Sequence, residues 1–140
     1  MTKLTSELKI EACVTVASDT DLVSARRKGR ALAEERGFSP SEATLIATAI
    51  SELARNIVNY AGRGEILIGW ANGAEKSGIT VVARDRGPGI ADVKLAVNEG
   101  YSTSGGLGLG LPGVRRIMDE FDIVSELGNG TTVTVVKWKR

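Results

Sequence analysis

Three stretches of this 140-residue chain combine residue types at spacings that could do chemistry. The first is Ser51-Glu52-Leu53-Ala54-Arg55-Asn56-Ile57-Val58-Asn59. On a helix, Glu52 and Asn56 share one face and lie one turn apart. A carboxylate there can take a proton from an attacking hydroxyl, and an amide oxygen is a hard ligand suited to magnesium. A plain solvated face would also use such residues. The second stretch is Arg84-Asp85-Arg86-Gly87-Pro88-Gly89-Ile90. Asp85 ends an apolar run, and a carboxylate at a strand end can accept a hydrogen bond from an exocyclic amine such as adenine's. Gly87 and Gly89 permit positive φ and close backbone approach. A simple turn opened by aspartate would look similar. The third stretch, Gly105-Gly106-Leu107-Gly108-Leu109-Gly110-Leu111-Pro112-Gly113, places dense glycines at a helix start. Free backbone N–H groups and the helix dipole there favour phosphate. The alternative is a flexible hinge.

Better-known phosphate motifs do not account for the third stretch. Gly108 to Gly113 spell G-x-G-x-x-G, but a dinucleotide fold needs a strand immediately before them. Here the polar Tyr101-Ser102-Thr103-Ser104 precedes. There is no Gly-Lys-Ser/Thr triplet, and the H-R-D and D-F-G sets of the large protein-kinase fold are missing.

Composition narrows the chemistry further. With no histidine, a Ser-His-Asp triad, most zinc sites and a histidine phospho-acceptor are excluded. Six aromatic residues and a net charge of +1 make neither a base-stacking surface nor a case for nucleic acid or membrane. The single Cys13 forms no internal disulfide and fits a buried structural thiol in a reducing compartment. The sequence shows no signal peptide or long apolar span, so a cytoplasmic location is expected. A hydrophobic fraction of 42% with 25% charged residues fits one soluble globular domain over residues 1–140.

The elements that must position these stretches follow from periodicity and punctuation. Lys9 to Val16 reads as a strand, and a helix capped at Ser18 or Asp19 runs to about Arg36 before Gly37. Ser39-Pro40-Ser41-Glu42 is a capping box with proline at the first helical position. The stripe Ile46, Ile50, Leu53 and Ile57 follows, on a helix ending near Tyr60. Glu65–Ala71 and Ile79–Arg84 read as an antiparallel hairpin. Val93–Val97 reads as a short helix, Asn98–Gly106 as a loop, and Leu107–Glu120 as a third main helix. Asp122–Leu127 and Thr131–Lys137 close the chain as strands. The order predicts an α+β fold, a mixed sheet covered on one face by about three helices.

Glu52 with Asn56, Asp85-x-Gly87-x-Gly89 and Gly106-x-Gly108-x-Gly110 resemble the N, G1 and G2 boxes of the GHKL ATPases. That superfamily includes gyrase B, Hsp90, MutL and sensor histidine kinases, and its nucleotide domain has the Bergerat fold. The resemblance spans nearly the whole chain. The compact size, Ser51 to Ile57, Gly108 to Val114, and the ending from Met118 to Trp138 are most similar to RsbT-type switch kinases.

This resemblance implies ATP and Mg2+ as cofactors, Glu52 as general base and Asn56 as magnesium ligand. It implies Asp85 at adenine, Gly87 and Gly89 shaping its pocket, and Gly106, Gly108 and Gly110 around the phosphates. Thr132 would support Asp85, and Asn98 to Ser104 would form the ATP lid. Arg55 departs from anti-sigma relatives, which carry a small polar residue there, and favours the switch-kinase branch. The implied partners are STAS-domain scaffold proteins as serine or threonine phosphorylation substrates, and a downstream phosphatase or cyclase. An anti-sigma factor with kinase activity shares every nucleotide residue. A binding module without turnover would not need Glu52.

Overall fold

The computed structural model of the chain describes residues 8–73, 75–89 and 110–139. The chain runs along β1 (Leu8–Val16) and leaves the sheet for two helices, α1 (Asp19–Glu35) and α2 (Pro40–Asn56). Ser18 caps α1 by accepting from the Asp21 N–H. Its other end closes as a Schellman turn: Phe38 N–H reaches the Ala33 carbonyl, Gly37 N–H reaches that of Glu34, and Gly37 sits at φ 95°. Helix α2 opens with the expected box, Ser39 and Glu42 exchanging side-chain to backbone hydrogen bonds ahead of Pro40.

Helix α2 does not run regularly to Tyr60. It gives way after Asn56 to a π turn, Ile57–Ala61, which Gly62 ends at φ 81°. The chain then re-enters the sheet on β2 (Gly64–Asn72) and β3 (Ser77–Asp85). Beyond the undescribed stretch come α3 (Gly110–Ile117), β4 (Glu120–Glu126) and β5 (Gly130–Trp138).

The strand order is β1-β2-β3-β5-β4. All four ladders among the described residues are antiparallel, so the α+β class holds while the expected mixture of strand directions does not. The reason lies in the first connection. A single crossover helix would deliver a parallel strand. Two helices bring the chain back to the end where β1 stopped, and Val16 pairs with Gly64 at the start of β2. The third main helix also stops earlier than expected, at Ile117. Asp119 is drawn to the sheet instead: its N–H reaches the Val136 carbonyl, and its Oδ2 accepts from the Trp138 N–H at 2.7 Å. The expected short helix at Val93–Val97 and the loop from Asn98 lie outside the described residues.

One sheet face holds the core. Ile46, Ile50, Leu53 and Ile57 are buried together with Val14, Val16, Ile66, Ile68 and Val81. Their alternation along the strands and their 3.6-residue period along α2 meet at this layer. Burying a side chain such as Ile50 stabilises the fold by about 1.5–3 kcal/mol. Ile50→Ala is therefore expected to destabilise by about 2–5 kcal/mol through lost burial and a cavity. Leu45, on the same helix but 44% exposed, should change stability by no more than about 0.5 kcal/mol when cut to alanine. Urea denaturation of the two variants checks both values, and equal losses would contradict this placement of the core.

Candidate nucleotide and phosphoryl-transfer site

Glu52 lies on the core-facing part of the last turns of α2, and only 9% of its side chain is exposed. It is thus not part of a solvated face. A carboxylate so placed needs donors, and it has two. Its Oε1 accepts from the backbone N–H of Gly110 at 3.0 Å. Its Oε2 pairs with Nη1 of Arg55, three residues on along the same helix. The first bond joins residues far apart in sequence: it ties the helix of the first stretch to the opening turn of α3, where the glycine-rich stretch ends. Gly110 adopts φ 66° there, a left-handed conformation that favours glycine. Pro112 follows in the first turn of α3, where a missing N–H breaks no helical bond.

Asn56 is the last residue of α2 and is half-buried. It stands one turn beyond Glu52, where the helix widens into the π turn. Such turns recur at functional sites because they re-aim the side chains around them.

Asp85 ends β3, as expected. Its Oδ1 accepts from the Gly87 N–H at 2.8 Å and from the Thr131 N–H at 3.3 Å. Two donors on one oxygen fix the carboxylate and leave Oδ2 as the oxygen able to meet a ligand's amino group. Gly87 and Gly89 have a steric explanation. A Cβ on Gly87 would come within 2.6 Å of the Ala61 Cβ, at the end of the π turn. At Gly89, with φ 80°, it would lie 2.3 Å from the Glu126 carbonyl oxygen. The turn after Asp85 is thereby pressed between the end of the π turn and the β4–β5 turn, and Gly128 N–H also reaches the Pro88 carbonyl.

Thr132 makes no direct hydrogen bond to Asp85 among the described residues. It pairs with Arg84 across the β3–β5 ladder, and the alternation with buried Val133 and Val135 turns it to the sheet face away from the core. The contact to Asp85 comes from the backbone of Thr131, whose Oγ1 lies 2.7 Å from that of Ser125. Strand parity places the Thr131 side chain on the face of Val133 and Val135, but the contact to Asp85 is made by its backbone N–H. Gly130 also packs on Asp85. At φ 98° its Cα packs so closely on Asp85 that an added Cβ would meet the Asp85 carbonyl oxygen at 2.1 Å. Gly106, Gly108 and the expected lid at Asn98–Ser104 lie outside the described residues.

The close packing of Gly130 on Asp85 generates a paired expectation. Gly130→Ala should lower stability by about 1–3 kcal/mol, through positive-φ strain and displacement of Asp85. It should also weaken ATP binding. Gly128, at φ 83° with nothing within 4 Å of an added Cβ, should show the strain alone when changed to alanine and keep its ATP affinity. Denaturation and calorimetry on both variants test this, and full ATP affinity in Gly130→Ala would remove Gly130 from the site.

The family model of the histidine kinase-like ATPase domain matches residues 15–137. The serine/threonine-protein kinase RsbT of Bacillus subtilis (strain 168) is 48% identical over 130 residues, covering 93% of this chain and 98% of that protein. An anti-sigma F factor of Halalkalibacterium halodurans is 33% identical over 101 residues, covering 69% of each chain. Among solved structures, the RsbU and RsbW domains of a Mycobacterium tuberculosis protein match with a TM-score of 0.59 at 20% identity, a likeness of fold. That match covers 93% of this chain, which spans 34% of the other. The chain therefore belongs to the histidine kinase-like ATPase family and stands among its serine/threonine-protein kinases.

Proposed function

We propose that this protein transfers the terminal phosphoryl group of magnesium-ATP to a serine or threonine of STAS-domain proteins in a bacterial stressosome-type pathway. After release it binds and activates a downstream phosphatase or cyclase. The observation that carries the catalytic part is the hydrogen bond from the Gly110 N–H to Glu52 Oε1. It brings the candidate base to the start of the helix whose leading glycines suit phosphate. The pathway assignment rests on the near-full-length likeness to RsbT.

The roles follow from the placement of each group. Asp85 offers Oδ2 to the adenine amine while Gly87 and Thr131 hold Oδ1. Glu52 takes the proton from the acceptor hydroxyl as its oxygen attacks the γ-phosphorus. ADP leaves as the bridging bond breaks. Asn56 is the protein's contribution to magnesium. Among the described residues no group of three or more His, Cys, Asp or Glu side chains could hold a metal. Magnesium is held by few protein oxygens, by water and by the phosphates themselves. Bound there, the ion would neutralise charge developing on the phosphates. No helix among the described residues is long and apolar enough to cross a membrane, and a cytoplasmic site of action is part of the proposal.

A second reading is favoured by the relatives called anti-sigma F factors, at 29–33% identity. Under it the same kinase chemistry serves a protein that also holds a sigma factor. Pull-down against sigma factors and STAS proteins separates the two.

Two substitutions test the roles. Asp85→Asn should weaken ATP binding roughly tenfold or more, the worth of a charge-assisted hydrogen bond of about 1.5–3 kcal/mol. Glu52→Gln should bind ATP nearly as well as the wild type but lose roughly 10²–10⁴-fold in single-turnover transfer to a STAS partner. Wild-type transfer by a folded Glu52→Gln protein would end the general-base assignment.

A further inference from the structure

Arg55 has no role in the chemistry above, yet it holds one oxygen of the residue that chemistry depends on. Its Nη1 pairs with Glu52 Oε2 while the Gly110 N–H holds Oε1. Both oxygens of the carboxylate are therefore engaged. The pair is also lopsided: the Arg55 side chain is 38% exposed and that of Glu52 only 9%. The guanidinium reaches the surface and the carboxylate does not. Arg55 lies in the last turn of α2, where a cation is also favoured by the helix dipole. A proton donor approaching Oε2 must displace or compete with the guanidinium already bonded there. Glu52 in this state has a donor on each oxygen.

We propose that Arg55 is a positioning residue that restrains Glu52 from activating water, so that phosphoryl transfer waits for a protein hydroxyl. This rests on Glu52 being the general base. The reaction held back is hydrolysis. Glu52 would take a proton from water, and the water oxygen would bond to the γ-phosphorus. The bond to the β–γ bridging oxygen would break, releasing ADP and phosphate, and Glu52 would return its proton to solvent. A kinase without such a restraint would consume ATP whenever its acceptor was absent. The exposed side of the guanidinium is where the restraint can be lifted. A docked acceptor that presents a carbonyl or carboxylate oxygen beside its hydroxyl can draw Arg55 away and leave Oε2 free to take the hydroxyl's proton.

The test uses the full chain as wild type, Arg55→Gln, Arg55→Lys, Glu52→Gln and the double variant Arg55→Gln/Glu52→Gln. Phosphate release from magnesium-ATP is measured without acceptor. Arg55→Gln should hydrolyse roughly tenfold faster than wild type, the worth of one charge-assisted hydrogen bond. Arg55→Lys keeps the cation and should gain less. The gain should vanish in the double variant, because Arg55 acts through Glu52. A second readout needs no nucleotide. In ¹⁵N-arginine spectra, the Arg55 guanidinium should rotate slowly in the wild type and freely in Glu52→Gln. Unchanged hydrolysis in a folded Arg55→Gln protein, a gain that survives in the double variant, or a freely rotating wild-type guanidinium would overturn the restraint. Loss of transfer in Glu52→Gln beside unchanged hydrolysis in Arg55→Gln overturns the restraint alone. Full transfer by Glu52→Gln overturns the base assignment with it.

Discussion

A carboxylate with nine-tenths of its side chain out of solvent is tolerated only where hydrogen-bond donors meet it. Glu52 is such a group, and its donors come from two directions. Arg55 answers from within the same helix. Gly110 answers from the start of α3, and that bond requires α2 and α3 to be docked in one register. The aliphatic stripe of α2 supplies the docking force, with Ile46, Ile50 and Leu53 held against the sheet. Apolar burial sets where α2 lies, and the polar contact sets what its last turns face. Moving either helix by a fraction of a turn would break the Gly110 bond and leave Arg55 as the one donor to a buried carboxylate.

The second half of the site is built by close backbone approach. Asp85 is held at a strand end by N–H donors from Gly87 and Thr131. Gly87 rests against Ala61 and Gly89 against Glu126, so the turn between them connects the end of the α2 segment to the β4–β5 turn. None of these contacts leaves room for a Cβ. Glycine is required there to bring three segments together, whatever else it does toward a ligand.

Much of this was legible in the sequence. The capping box at Ser39, the stripe from Ile46 to Ile57 and the Gly37 stop each follow from local rules, and local rules decide local structure. Glu52, Asn56 and Asp85 stood out by type and spacing. What was not legible depended on tertiary placement. Helical spacing puts Glu52 and Asn56 on one face but does not say whether that face meets solvent. The bond to Asp85 comes from the backbone N–H of Thr131, a contact that residue type and spacing do not reveal. The direction of β2 relative to β1 followed from the two-helix connection, and the early end of α3 from Asp119, whose carboxylate binds the Trp138 N–H instead of extending the helix. The partner of Arg55 was within reach at a spacing of three, but pairing on an exposed helix face would have had little value. The burial of Glu52 is what gives the pair its weight.

In the proposed function, Asp85 and Glu52 bracket one nucleotide, base at one end and terminal phosphate at the other. The most direct measurement is a crystal structure of the protein with magnesium and a non-hydrolysable ATP analogue. The adenine amine is predicted to lie within hydrogen-bond distance of Asp85 Oδ2. The terminal phosphate should lie beside Glu52, with the magnesium ion contacting Asn56. A nucleotide bound away from Asp85, or one whose terminal phosphate points away from the end of α2, would contradict the account.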